Sequence, residues 1–191
     1  MQNIPNANQL SGMAIGSMFF AGFGAVWLFM ALTAKQGITF STVSGVTLGM
    51  LFLFLTAFYL MRQSKRWPRV PNDPAMGRTF RWINVTQWIA VALVVMSFGK
   101  LHMDMYITSA ITAIVGLHMF PLARLFRYPM HYATGAALVA WAAASAFLAP
   151  AGQMQARAAL GTGIILWLSA AITLAVAVNA ARHPVPGPSV A

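Results

Sequence analysis

Read for hydrophobic and polar positions, the chain alternates six long apolar runs with short polar breaks. The runs cover 10–34, 39–62, 79–99, 102–124, 130–150 and 156–181. Each can cross a hydrocarbon core of ~30 Å, which takes ~20 helical residues. None shows the two-residue alternation of a barrel strand, and amides in lipid must be satisfied within their own segment, so every run predicts a helix. The expected fold is an all-α, polytopic bundle of six transmembrane helices, arranged as three tandem hairpins over residues 1–182. Residues 183–191 are too rich in proline to continue a helix and read as a disordered tail.

The breaks are where the charges lie. Arg62, Lys65, Arg66, Arg69, Arg78, Arg81, Arg124, Arg127 and Arg182 fall on one side of the membrane, nine in all, against Lys35, Lys100 and Arg157 on the other. Translocating cations is unfavourable, so the richer side is expected inside, with both termini, in a bacterial inner membrane. The second, fourth and sixth runs end at Arg62, Arg124 and Arg182, a coarse repeat that fits a chain of hairpins. The flank before the first run carries no charged side chain and the run exceeds an h-region, so it reads as a retained span.

Composition agrees with the pattern. Of 191 residues 59% are hydrophobic and only 7% charged, where a soluble domain would carry about 25%. The net charge is +10, with Asp73 and Asp104 the only acids. The basic residues cluster in short turns rather than on one face, which points to anionic lipid headgroups and away from nucleic acid. With no cysteine there is no disulfide, thiolate site or cysteine nucleophile. Small residues at four-residue spacing (Gly12 and Gly16; Gly45 and Gly49; Ala136, Ala140 and Ala144) are read as close-packing faces, within a compact bundle or between copies in a homo-oligomer.

Polar groups deep in the spans mark the candidate site, because they are costly in lipid unless they face a cavity or partner. Arg81, Asn84 and Trp88 share a helical stripe, with Gln87 beside it. Gln87 and His118 are both placed ~9 Å from the arginine-rich end by helical rise. His131 and Tyr132, opening the fifth span, are expected to close this pocket, and Pro121 to free a carbonyl near His118. The competing reading is a neutral His118 hydrogen-bonded to Gln87 or Asn84 as interhelical glue. At the other end Lys100, His102 and Asp104 form a possible outer entrance for cations, or simply a Lys100–Asp104 pair in which Asp104 caps the fourth span.

Three function classes survive. The first is a transporter or channel for a small solute or ion, using the inner polar pocket. The second is a non-catalytic partner that binds lipid or protein through the basic loop 62–81, with Arg62, Lys65, Arg66 and Arg69. The third is a redox subunit holding haem or copper through His118 and His131, although no further ligand pattern supports a metal and no cofactor is expected. Enzyme chemistry is not expected: glutamate, paired carboxylates and the common nucleophile and phosphate motifs are absent.

Overall fold

The computed structural model describes residues 7–67, 71 and 73–182. Arg69, the flank 1–6 and the proline-rich tail 183–191 lie outside them. The described chain is an all-α bundle of six membrane-length helices: α1 (Ala7–Gln36), α2 (Phe40–Ser64), α3 (Pro74–Lys100), α4 (Ile107–Phe126), α5 (Met130–Leu148) and α6 (Met154–Arg182).

Local chemistry sets the helix ends. Gly37, at φ 71°, stops α1 with its amide on the Thr33 carbonyl. The Thr39 hydroxyl accepts the Thr42 amide and caps α2. α3 starts five residues before the expected boundary. Asp73 accepts the Ala75 amide at 2.8 Å, and Pro74 takes the first helical position, where no amide is needed. The fourth span is shorter than expected at its start: His102 and Met103 are outside any helix, and a 3-10 turn (Asp104–Tyr106) leads into α4.

Hairpin neighbours do pack, but the broadest interface joins the two ends of the chain, α1 against α6. Gly24 and Gly163 let these backbones meet. A Cβ on Gly163 would lie 2.9 Å from the Gly24 carbonyl oxygen and 2.6 Å from Leu28 Cγ. Trp167 of α6 wedges against Gly24 of α1 and Gly49 of α2, and its indole donates to the Ala21 carbonyl at 2.9 Å. The α4–α5 pair closes the same way: a Cβ on Gly116 would sit 2.9 Å from the Gly135 carbonyl oxygen, and one on Gly135 2.7 Å from that of Gly116. Trp141 lies against Gly161 and donates to the Arg157 carbonyl.

The small-residue faces read from spacing are mostly turned elsewhere. Gly12, Gly16 and Gly45 have nothing within contact of an added Cβ, and Ala136 and Ala140 are exposed. Of those glycines only Gly49 makes a close interhelical contact.

α6 is the hub, touching α1, α2, α4 and α5. α2 leans on α1 and α6, whereas α3 leans on α4 and the 3-10 turn. No α3 residue is buried; Trp82, Trp88, Leu93 and Met96 face outward, as lipid-facing positions would.

Candidate functional site

The inner core of α4, α5 and α6 is held by paired hydroxyls. Ser109 and Ser145 share a hydrogen bond at 3.1 Å, Thr112 and Thr162 at 2.8 Å, and Thr134 and Ser169 at 2.9 Å. The Tyr128 hydroxyl donates to Thr173 at 3.2 Å. Leu138 and Leu166, both fully enclosed, separate the Thr134–Ser169 level from the Thr112–Thr162 level. Sequence reasoning missed these hydroxyls. Their signal was legible in α6, where Thr162, Ser169 and Thr173 recur at seven- and four-residue steps on one face.

The two histidines do not share that satisfaction. Both ring nitrogens of His118 and Nδ1 of His131 are closed to the surface and have no hydrogen-bond partner in the chain. Among the described residues the only other such side-chain atom is Ser17 Oγ. His118 and His131 are half-buried and lie within electrostatic reach of each other. The glue reading of His118, a hydrogen bond to Gln87 or Asn84, is therefore not realised.

Local folding puts the pair there. α4 ends at Arg127, which takes the left-handed conformation (φ 51°, ψ 38°), and the Tyr128 amide reaches back to the Ala123 carbonyl at 3.1 Å. This tight reversal starts α5 at once, so His131 falls in its first turn. Its ring meets Tyr128, Phe20 and Phe126 edge-on, with centroids 5.1, 5.8 and 6.4 Å away. Phe20 comes from α1, so three segments box one imidazole. His118 lies ~12 Å before the α4 terminus by helical rise.

The other residues singled out from the sequence distribute as follows. The Phe80 and Phe126 rings meet at a tilt with centroids 5.7 Å apart and mark the antiparallel register of α3 on α4. That register sets Gln87 level with His118, half-buried, while Asn84 turns its amide onto its own helix, donating to the Phe80 carbonyl at 2.8 Å. Arg81 is exposed at the rim. Tyr132 does not reach the histidines; it is exposed, with its ring tilted against Phe120.

At the other end Lys100, His102 and Asp104 are all exposed. His102 has a positive φ of 55°. Asp104 opens the 3-10 turn rather than capping α4, which begins without a side-chain cap, and its backbone carbonyl accepts from Gln155. Arg62, Lys65 and Arg66 are exposed, the Arg62 guanidinium lying 4.9 Å over the Phe58 ring. An apolar surface groove of about 500 Å³ between α1 and α2 is lined by Ile15, Met18, Phe19, Phe23 and Phe54 among others, and by no histidine.

Six apolar helices around a sparsely polar core define a multi-pass α-helical membrane protein. No family model, curated protein or solved structure matches the chain.

Proposed function

We propose that this protein carries a small ion or solute across a bacterial inner membrane, with His118 and His131 as the groups that meet it. The observation that carries this is the set of three enclosed imidazole nitrogens without a partner. Leaving one such buried group unpaired costs about 1–3 kcal/mol, a large fraction of the few kcal/mol by which proteins are stable. The hydroxyl pairs Ser109–Ser145, Thr112–Thr162 and Thr134–Ser169 in the same three helices are satisfied, which sets the histidines apart from the polar groups of that core. Buried, unpaired polarity of this kind in a lipid-embedded bundle supports a functional path for an ion or solute.

The arginine-rich end is the inside end in this reading. Eight described cations surround it, all exposed, and its one described acid, Asp73, is occupied in capping α3. The same cations attract anionic headgroups, each by about 1 kcal/mol.

The test is electrical. Purified protein in liposomes on a solid-supported membrane is challenged with concentration jumps of Na⁺, K⁺, Cl⁻, H⁺ and neutral amino acids. At least one jump gives a current above protein-free liposomes, and that current is lost in His118→Ala protein of unchanged elution and melting profile. Silence to every jump would end the proposal.

A further inference from the structure

We infer that the species handled at the His118–His131 pair is the proton. This rests on the transport reading above and deepens it.

Most buried histidines have one nitrogen pinned by a backbone carbonyl or carboxylate, which fixes the tautomer. His118 has neither nitrogen pinned. Its two tautomers are therefore not distinguished by any protein hydrogen bond. That freedom is the requirement for an imidazole relay: a proton arrives on the bare nitrogen, and the other nitrogen releases its own. The charge passes, the ring returns to neutral as the opposite tautomer, and a ring turn resets it. Water supplies and takes up the proton, and nothing is oxidised or reduced.

The donor set argues against other cations. Magnesium and calcium need several oxygen ligands, usually including carboxylates. The chain has two acids: Asp73 caps α3 in the loop, and Asp104 stands at the opposite end. Among the described residues no three His, Cys, Asp or Glu side chains converge on a metal position. A metal-bound imidazole also holds its second nitrogen on an acceptor, and His118 lacks one.

The groups around the pair fit brief residence. Phe20 of α1 and Phe126 and Tyr128 of the α4–α5 corner wall His131, and Gln87 of α3 stands level with His118. Arg78, Arg81, Arg124 and Arg127 are the charged groups at that end of α3 and α4, all exposed. Among the described residues no carboxylate side chain faces the rings to trap an imidazolium as an ion pair. His131, in the first turn of α5, lies nearer the arginine-rich end and receives the proton first, and His118 receives it deeper in α4.

The experiment loads liposomes with pyranine and drives proton uptake by a potassium gradient with valinomycin. Wild-type protein acidifies the lumen well above protein-free liposomes, and more slowly in D₂O. His118→Ala and His118→Gln each lose about a hundredfold of that flux, the scale of a positioned acid–base group. If wild-type flux equals the protein-free leak while another ion gives a His118-dependent current, transport stands and the proton assignment falls. If no jump gives a current, both fall. Wild-type flux that is unchanged in both folded His118 variants also overturns the assignment.

Discussion

Substituting alanine at Gly163 and, separately, at Gly12 tests whether backbone contact between α1 and α6 holds the bundle together. Both glycines sit inside helices, so the intrinsic gain of alanine over glycine, roughly 0.5–1 kcal/mol, is common to the two. They differ in surroundings. The new methyl at position 163 meets Leu28 Cγ at 2.6 Å and the Gly24 carbonyl oxygen at 2.9 Å, whereas at position 12 it meets nothing within 4 Å. One of the obstructing atoms is backbone, so the helices themselves must part. Overpacking of this type costs about 1–3 kcal/mol. At about 2–4 °C per kcal/mol for a chain of this size, Gly163→Ala should melt roughly 2–12 °C below Gly12→Ala. Size-exclusion thermal scans of the two variants in one detergent read the difference directly. Coincident melting curves would show that the close α1–α6 approach contributes no stability.

Other consequences are as accessible. A double-mutant cycle with Thr134→Ala and Ser169→Ala should return a coupling of about 0.6 kcal/mol, the usual worth of an interhelical hydrogen bond in lipid; a value near zero removes the hydroxyl pair as glue. Arg127→Gly relieves a left-handed side-chain clash of about 1–2 kcal/mol and should raise the melting temperature; an unchanged or lower value would show that this turn is not strained. Asp73→Ala loses a helix cap and about 1 kcal/mol, read as earlier unfolding of α3 by hydrogen exchange at Ala75–Gly77. Because the chain has no cysteine, single cysteines at Lys65 and His102 report sidedness cleanly. An impermeant maleimide added to intact cells should label position 102 and spare position 65, and the reverse pattern would invert the proposed orientation.

The spans were readable because lipid imposes a length and a composition on each of them. Their ends were readable where one residue decides the backbone, as at Gly37. The start of α3 was not, because the aspartate–proline cap at 73–74 lies in a polar stretch that looks like loop until its hydrogen bond is seen. The packing glycines were misjudged for a different reason. Spacing shows that Gly12 and Gly16 share a face, but not that the face meets nothing, whereas Gly24 and Gly163 are 139 positions apart in sequence and matter only through each other. The depth of Gln87 and His118 followed from helical rise, yet their lack of a mutual hydrogen bond depends on side-chain orientation that no periodicity encodes. The hydroxyl pairs fall between these cases: a stripe on α6 was visible, its partners on α4 and α5 were not.

The closure of α1 on α6 also dictates when this protein can finish folding. The carbonyl of Ala21 accepts from an indole 146 residues downstream. At ribosomal speeds of 5–20 residues per second, α1 waits about 7–30 s in the bilayer before its main partner is even synthesised. During that interval α1 can pair with α2, which follows it directly, while the surface around Gly24 that α6 will cover goes without its final partner.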